Sequence, residues 1–521
     1  MSITEIRTTT LSALDTTADV LAFETPSSPS CTTNCNYLTS TSTSTASHNL
    51  INAPNQANHF VLHFSWFDYG FFLGLLGLST LIGIYYGFFS KHKQNNPNEY
   101  ILGGRTMKIL PVATSLIATH ISGQTLVGLP TEIYSNGTQY VVFVIVATQL
   151  GLSLTYVFLP LYHNLGVTSS FEYLERRFDR RIRLLASFVY TTKYILFIPL
   201  VIYVPALAFS QVSGLNLHYV TPAICAICVF HTTIGGLRAV VWTDFMVMLA
   251  AIIIIILLGT NNVGGFANVW SAAERGGRLI MFNMDLSPFV RTSFWTLLFH
   301  LNINFASHAC VGQTTVQRFL SLPDLKAAKR SVIYFVIGIT LLNFGLNAGN
   351  SRITYIVPYY IVQIGQEIPG LAGLFVAGIF AAGIFAAALS TMSSAINTLA
   401  GTIYTDIFKD CFGAQTEKEA STTMKWISIG LGVLMTLLVF LVEKMGSVFQ
   451  IGTTIGVIFV GTFFAMFVLG MTSRSANSKG LVVGVVVYFI LLLVMMIGAQ
   501  MNNIAKEPTL PVQIDGCPNN L

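Results

Sequence analysis

The sequence predicts an all-α polytopic membrane protein with about twelve transmembrane helices. Of its 521 residues, 53% are hydrophobic and only 9% are charged, whereas about 25% of the residues of a soluble protein carry charge. From residue 65 onward the apolar stretches are each close to the ~20 residues that a helix needs to cross a bilayer. Helices are expected because every backbone N–H and C=O group inside a bilayer needs a partner within the protein. The predicted spans are approximately 65–89, 107–129, 138–162, 183–213, 217–236, 239–262, 292–317, 331–350, 371–407, 424–443, 446–472 and 479–501.

The two ends of the chain differ in composition from this hydrophobic region. Residues 1–60 are rich in Ser, Thr and Asn, show no hydrophobic periodicity, and are predicted to be a disordered tail. The early residues also lack the apolar stretch of a signal peptide, so no cleaved leader is expected. The transmembrane domain is predicted to occupy residues 61–505, followed by a short terminal segment at 506–521.

The Lys and Arg residues predict how the chain is oriented in the membrane. Of the 27 Lys and Arg residues, 19 follow odd-numbered spans, and loops rich in these residues are cytoplasmic by the positive-inside rule. Twelve spans then place both termini outside the cell, in a multi-pass protein of the plasma membrane. The 19 residues are Lys91, Lys93, Arg105, Lys108, Arg176, Arg177, Arg180, Arg181, Arg183, Arg238, Arg318, Lys326, Lys329, Arg330, Lys409, Lys418, Lys425, Arg474 and Lys479.

Composition also excludes several classes of function. The formal net charge of +5 does not indicate a nucleic-acid partner, because the basic residues sit in short loops between apolar spans. The sequence shows no nucleophile set, metal-ligand spacing or phosphate-binding loop that would indicate an enzyme or an organic cofactor. The expected partners are the lipid bilayer and small solutes, and a monomer is expected to suffice for function.

The stretch Ala386 to Asp406 is unusually polar for a membrane helix. Four hydroxyl residues fall within five positions, and several polar side chains share one face at i, i+3, i+4 and i+7 spacing. A hydroxyl there needs a protein partner, a backbone carbonyl or an ion. Two interpretations stay open: each hydroxyl bonds back to a carbonyl one turn earlier, or the hydroxyls are hard oxygen ligands of a small cation. The polar residues are Ser390, Thr391, Ser393, Ser394, Asn397 and Thr398.

The second predicted span carries polar residues at its centre. Ser122 and Gly123 lie between two apolar halves, with His120, Gln124 and Thr125 beside them. This pattern predicts a helix broken near the bilayer midplane, which frees carbonyls for a cation and presents a half-helix N-terminus to an anion. A glycine kink against a neighbouring helix is the alternative. On the first interpretation, Ser122, Gln124 and Thr125 are candidate substrate-binding residues.

Several short segments carry a resemblance to a known family. They are EYILGGRTM (99–107), SLIATHIS (115–122), LPTEIY (129–134), TSSFEYLERRF (168–178), VIYVPALAFSQVSG (201–214), TIGGLRAVVWTD (233–244), QTTVQRFLS (313–321), LSTMSSAIN (389–397) and ANSKG (476–480). In this order and spacing they resemble the sodium/solute symporter family, and within it the branch of monocarboxylate, multivitamin and iodide carriers. The resemblance covers residues from about 65 to 517.

The resemblance implies both a fold and a function. The fold is LeuT-like, with five-plus-five inverted repeats after one leading helix, and it transports by alternating access. The implied function is sodium-coupled symport of a small organic anion, such as a monocarboxylate or the vitamins biotin and pantothenate. The family's main sodium site matches Ala118, Ile121, Ala387, Ser390 and Thr391, and a second sodium position in this branch matches Ser393 and Ser394. The positions around the substrate match Ser122, Thr125, Phe197 and Phe305.

Lys193 is the only basic residue predicted inside a span. It lies ten residues past Arg183, about 15 Å along a helix and so near the middle of a ~30 Å core. No acidic residue is expected at comparable depth, so a buried ammonium there costs several kcal/mol. Lys193 could extend to the membrane surface or lose its proton. Alternatively it binds a substrate carboxylate, since it lies four residues before Phe197 and shares its face.

Some residues depart from the family pattern. Phe197 replaces a usual tyrosine, Phe305 stands where a tryptophan is common, and Gly312 where an asparagine is. The external loop before the ninth span is nearly absent. AGIFA occurs twice in tandem at 377–386, which predicts either a helix bulge or a lengthened helix.

Two alternatives to a sodium symporter therefore stay open. A proton-driven or uncoupled carrier is one, because His120, His300 and His308 lie in predicted spans and could titrate. A transport-deficient membrane protein of the same fold is the other, given the departures from the family pattern.

Overall fold

The structure is a computed structural model that describes the chain from residue 66 to residue 501 with gaps. The predicted terminal segments 1–60 and 506–521, Gln124 and residues 350–375 lie outside the described residues. Described are residues 66–90, 96–122, 125, 129, 132–133, 136–245, 266–275, 277, 279–287, 290, 292–349, 376–409, 415–444 and 448–501.

These residues fold into helices, and no strand occurs among them. The α-helices are α1 Trp66–Ile84, α2 Pro97–Leu102, α3 Ile109–His120, α4 Phe143–Ser153, α5 Leu159–Leu165, α6 Ser170–Arg177, α7 Arg180–Ser213, α8 Leu217–Thr243, α9 Phe266–Arg275, α10 Phe294–Ala306, α11 Gln313–Leu320, α12 Leu325–Gly349, α13 Val376–Ile403, α14 Glu417–Val442, α15 Val448–Thr472 and α16 Ser478–Met501. Four π-helical turns extend or join them, at Tyr85–Phe89, Leu154–Phe158, Ser307–Val311 and Tyr404–Phe408.

Within the described residues, seven helical stretches are long and apolar enough to cross a membrane, and one bent pair would make an eighth. The bent pair is Pro97–Arg105 with Ile109–His120, at an angle of 112°. The seven stretches are Phe72–Phe89, Gln139–Leu165, Arg180–Leu207, Leu217–Thr243, Glu417–Val442, Thr454–Thr472 and Ser478–Met495. Six of them coincide with a predicted span, and the prediction of an all-α polytopic membrane protein is confirmed. Leu217–Thr243 instead runs past the predicted span end at 236, so Arg238, which was predicted to lie in a loop, is buried in this helix beyond a kink at Gly236.

The predicted break in the second span is present. Helix α3 ends at His120, and the next residue, Ile121, has an extended backbone with φ −110° and ψ 108°. Ser122 is also non-helical, and Thr125 is helical again. The chain thus leaves the helix where the polar residues interrupt the apolar pattern.

A further break, at Gly312, contradicts the prediction of one continuous span over 292–317. Gly312 has φ −61° and ψ 123°, and it separates the π turn Ser307–Val311 from α11. A Cβ atom at this position would lie 2.4 Å from the carbonyl oxygen of His308, so the tight path of the chain requires glycine. The apolar pattern of α10 runs up to the break, and a single glycine does not change that pattern.

Helix α13 lies at the centre of the packing around these two breaks. It contacts α3, which ends at the first break, and α11, which begins at the second. It also packs along α7, α8 and α1. The helix runs unbroken from Val376 to Ile403, so the AGIFA tandem makes no bulge in that range. The alternative, a lengthened end reaching past residue 371, lies outside the described residues.

The far end of α13 is fixed to α7 by charge. The guanidinium of Arg183 at the start of α7 lies 2.5 Å from the Asp406 carboxylate in the π turn after α13. Arg183 also bonds to Glu175 of α6 at 2.5 Å, and the Ser187 hydroxyl donates to Asp406. These contacts fix α7 and α13 side by side at one end.

Close packing of α1 on α8 gives a test of this architecture. A Cβ atom at Gly83 of α1 would lie 2.8 Å from the backbone Cα of His231 in α8. Because a backbone atom cannot move aside as a flexible side chain can, we expect Gly83→Ala to destabilise the fold by about 1–3 kcal/mol. The measurement is the melting temperature of the purified protein in detergent. Gly74→Ala on the same helix is the control, since nothing lies within 4 Å of a Cβ there; equal melting temperatures would contradict the helix packing.

Candidate functional site

A cavity of about 250 Å³ lies where the first broken helix meets α7, α10 and α13. Of the predicted substrate residues, Ser122, Thr125, Phe197 and Phe305 all line it, and the predicted sodium ligand Thr391 reaches it from α13. The fifth substrate residue in the described part of the chain, Lys193, borders it through His308. The cavity is also lined by Thr119, His120, Leu129, Glu132, Tyr140, Phe143, Tyr194, His300, Leu301, Asn304, His308, Thr314, Thr315 and Asn343.

Aromatic rings form much of the cavity wall. The rings of Phe143 and Phe305 meet edge to face with their centres 4.6 Å apart. His120 stacks on Phe305 at 6.3 Å, and its Nδ1 atom lies 2.8 Å from the Leu116 carbonyl oxygen, to which it donates. These walls suit an organic solute with an apolar part better than a bare ion.

Lys193 lies buried behind His308, which lines this cavity. Only 6% of the residue is exposed, and its Nζ atom lies 3.0 Å from His308 Nε2 and 5.0 Å from the centre of the Tyr194 ring. No carboxylate among the described residues lies within 4.0 Å of it. If Lys193 is protonated, its ammonium donates and the imidazole Nε2 atom accepts. Lys193 therefore does not extend to the membrane surface.

Most of the polar residues of α13 bond within the protein. Thr391 donates to the Ala387 carbonyl at 3.0 Å and Ser393 to the Ser390 carbonyl at 3.1 Å, so the back-bonding interpretation holds for these two. Ser394 accepts a hydrogen bond from Arg318. Ser390 Oγ is different: it is buried and has no hydrogen-bond partner in the described part of the chain.

The residues of the predicted main sodium site fit a small cation. Ala118 and Ile121 lie where α3 ends. The Ala118 carbonyl accepts from Ile121 N–H at 3.3 Å and keeps one lone pair for a cation. The Ser390 hydroxyl is a hard oxygen that is buried without a partner, and a bound cation would satisfy it. Ala387 and Thr391 lie on the same helix within one turn of Ser390. The five positions supply the carbonyl and hydroxyl oxygens that sodium prefers.

A buried ion pair lies next to this region, and its acid, Asp244, belongs to the predicted span 239–262. Asp244 and Arg318 are 2% and 0% exposed, and Arg318 Nη2 lies 3.5 Å from Asp244 Oδ2. Ser115 Oγ accepts from Arg318 Nε at 2.8 Å and donates to the same carboxylate oxygen at 2.6 Å. The sequence interpretation placed Arg318 in a loop, but the break at Gly312 turns α11 inward and buries it.

The side chain of Gln317 links three helices near this region. Its amide nitrogen donates to the carbonyl oxygen of Ile101 and to Asn397 Oδ1 at 2.8 Å. Its amide oxygen accepts from Thr398 at 2.6 Å, and Asn397 donates to the Tyr100 carbonyl at 3.2 Å. These bonds join α2, α11 and α13.

The chain belongs to the sodium:solute symporter family, whose model matches residues 100–487. It is thus a multi-pass membrane protein of a family that couples solute transport to sodium, and this family consists of transporters rather than enzymes.

Individual relatives point to one branch of the family. The chain is 34% identical over 473 residues to sodium-coupled monocarboxylate transporter 1 of Mus musculus, covering 86% of this chain and 76% of that protein. It is 33% identical over 445 residues to the sodium-dependent multivitamin transporter of Oryctolagus cuniculus, covering 81% and 69% respectively. The resemblance stated from the sequence segments is confirmed.

A solved structure supports the fold. The chain superposes on a Na⁺-coupled sialic acid symporter, solved in a substrate-bound outward-open state, with a TM-score of 0.73 at 23% identity. The match covers 84% of this chain and 93% of that one. The predicted LeuT-like fold, with inverted repeats after a leading helix, is confirmed.

The Asp244–Arg318 pair predicts unequal effects of two acid substitutions. Asp244→Ala leaves the Arg318 guanidinium buried without its carboxylate, which is expected to cost about 3–5 kcal/mol of unfolding free energy. Glu172→Ala removes the partner of Arg176 at the surface, where the Arg176 side chain is 46% exposed, and is expected to cost less than about 1 kcal/mol. The measurement is thermal unfolding in detergent. Similar losses in both variants would show that the buried pair contributes little.

Proposed function

We propose that this protein is a sodium-coupled symporter of a small organic anion, acting by alternating access across the plasma membrane. The observation that carries this proposal is Lys193, a buried cation at the cavity edge whose partner is an imidazole rather than a carboxylate. A carboxylate on the solute would supply the missing negative charge. Membership of the sodium:solute symporter family supports the proposed sodium dependence of transport.

The shape and lining of the cavity favour a monocarboxylate or a vitamin acid over a halide. The Phe143, Phe197 and Phe305 rings line it together with the hydroxyls of Ser122 and Thr125. Aromatic walls bury the apolar part of a solute, and a few polar groups fix its orientation. A solute with one carboxylate and an apolar body, such as a short monocarboxylate, biotin or pantothenate, fits this combination.

Sodium is proposed to bind between the end of α3 and the middle of α13, at Ala118, Ile121, Ala387, Ser390 and Thr391. A bound sodium ion would supply positive charge and draw the oxygens of the two helices together. The second sodium position, at Ser393 and Ser394, stays a prediction. A sodium ion there would compete with Arg318 for the Ser394 hydroxyl.

The direct test is uptake of radiolabelled lactate, nicotinate, biotin and iodide into cells that express the protein. We expect sodium-dependent uptake of at least one organic anion, and loss of that uptake when choline replaces sodium. Uptake that persists in choline and follows an imposed proton gradient would support the proton-driven alternative. Absence of uptake of all four, with the protein at the cell surface, would support a transport-deficient protein.

The sodium site predicts an effect of Ser390→Ala on sodium activation. Losing a hydroxyl bond to a charged partner typically costs 1.5 kcal/mol or more, so the sodium concentration for half-maximal uptake is expected to rise roughly tenfold. Thr402→Ala is the control, because Thr402 is also a buried hydroxyl on α13, 5% exposed, but lies three turns further along. Identical sodium activation in wild type and Ser390→Ala, at matched surface expression, would reject the site.

The carboxylate site predicts an effect of Lys193→Gln on solute affinity. The amide keeps much of the side-chain length but loses the charge, so the apparent affinity for the anion is expected to fall roughly tenfold. Lys193→Arg keeps the charge and should retain part of the affinity. Lys425→Gln on α14 controls for removing any one lysine. Unchanged affinity and sodium dependence in Lys193→Gln would make Lys193 a purely structural residue.

A further inference from the structure

The contact between Lys193 and His308 joins an unbroken helix to a broken one. Lys193 lies in the middle of α7, and His308 lies in the π turn four residues before the break at Gly312. Transporters with discontinuous helices work by rocking one group of helices against another around the binding site. A hydrogen bond from α7 to the broken helix is therefore positioned to respond to that movement.

The surroundings of Lys193 limit what can satisfy its charge. Its Nζ atom contacts His308 Nε2 at 3.0 Å and the face of the Tyr194 ring. Within the described part of the chain, no other hydrogen-bond acceptor or carboxylate contacts it. A buried ammonium without a partner costs several kcal/mol, so Lys193 needs an acceptor in every state of the transport cycle in which it is protonated.

The two halves of a transport cycle differ in which acceptor is present. When the anion is bound, its carboxylate can accept from Lys193. After the anion has been released, the empty transporter must still change conformation to bind the next anion. During that step the acceptor must come from the protein, and His308 is the residue in contact.

We propose that His308 is the resting partner of Lys193, accepting its hydrogen bond in the empty transporter and giving it up to the solute carboxylate. This inference rests on the proposed function and adds to it the step that permits net uptake, the return of the empty transporter. His308 acts through Lys193, so it is a positioning residue.

The chemistry of imidazole suits this exchange better than the alternatives. A permanent Asp or Glu beside Lys193 would neutralise it and compete with the anionic solute. An apolar residue would leave the ammonium unpaired once the solute leaves. A neutral imidazole satisfies the ammonium, yet a carboxylate binds it more strongly because that hydrogen bond is between opposite charges.

The test compares two fluxes of the same purified protein in liposomes, with the anion from the uptake panel that wild type transports fastest. Net uptake into empty liposomes requires return of the empty transporter. Exchange with liposomes preloaded with the same anion does not, because the transporter returns loaded. The ratio of net uptake to exchange is independent of the amount of protein reconstituted.

We expect His308→Leu to lower the ratio of net uptake to exchange roughly ten- to a hundredfold. This range corresponds to the free-energy cost of leaving a hydrogen bond to a charged group unmade. His308→Gln keeps an accepting oxygen and should hold the ratio near the wild-type value. The double variant Lys193→Gln with His308→Leu has no ammonium left to satisfy. Its ratio should therefore recover to within about twofold of wild type, as expected for two coupled residues.

Other outcomes overturn the inference. If His308→Leu lowers both fluxes equally or neither, or if the double variant keeps the low ratio, His308 is not the resting partner. His308→Phe, which keeps the ring volume without the accepting nitrogen, carries the same test if His308→Leu does not fold. If wild type shows no sodium-dependent uptake, the proposed function itself fails and this inference with it. A sodium-dependent wild type with an unchanged ratio in His308→Leu rejects the inference alone.

Discussion

A charged side chain buried in the membrane domain needs a partner inside the protein. The ion pairs and hydrogen bonds made by such side chains join the central helices to one another. In the part of the chain that the structure describes, Arg318 of α11 pairs with Asp244 at the end of α8 and bonds to Ser394 of α13. Arg183 of α7 pairs with Asp406 after α13. Lys193 of α7 contacts His308 before the break at Gly312. Since breaking a buried pair costs about 3–5 kcal/mol, these contacts restrict how the helices can be arranged.

The sequence predicted those structural features that depend only on residues close together in the chain. The apolar stretches gave the spans, because a bilayer requires long runs of apolar residues on helices. The break after His120 was predicted because polar residues and a glycine interrupt one such run. Lys193 was predicted to matter because a charge in an apolar run is itself a local signal. Its partner His308 is 115 residues away in the sequence, and no local pattern connects the two.

The features that sequence reasoning missed arise from the tertiary fold. The helix breaks at Gly312, at the end of an apolar run, and the carbonyl oxygen of His308 lies too close to this position for any side chain. That break turns α11 inward and buries Arg318, which otherwise looks like the first residue of a basic loop. Asp244 could have been noticed, since a carboxylate inside a predicted span is costly unless paired. The sequence alone indicates that Asp244 needs a partner, but it does not indicate which residue that partner is.

The hydroxyl face of α13 shows why spacing alone could not decide between packing and ion binding. Spacing places side chains on a common face, but each hydroxyl's partner depends on which helix lies opposite it. Thr391 and Ser393 bond to carbonyls of their own helix, and Thr398 bonds to Gln317 of α11. Ser390 alone among these hydroxyls is buried without a partner in the described residues. Both interpretations therefore apply, to different residues of one helix.

The position of Ser390 on this helix also relates the proposed cation site to closure of the cavity. Ser390 and Asn397 lie seven residues apart, about two turns or ~10 Å along an unbroken helix. Asn397 accepts from Gln317 and donates to the Tyr100 carbonyl of α2, while Ser390 Oγ is buried without a hydrogen-bond partner in the described residues. Each of these hydrogen bonds contributes only about 1 kcal/mol net, so α2, α11 and α13 are held together by several weak bonds rather than by one strong pair. An ion at the proposed site would draw the end of α3 toward Ser390 and change the position of α3 relative to α13. Because α2 precedes α3 directly in the chain, such a movement would strain or relieve the bonds at Asn397, so the proposed ion site and these bonds would be coupled through one unbroken helix.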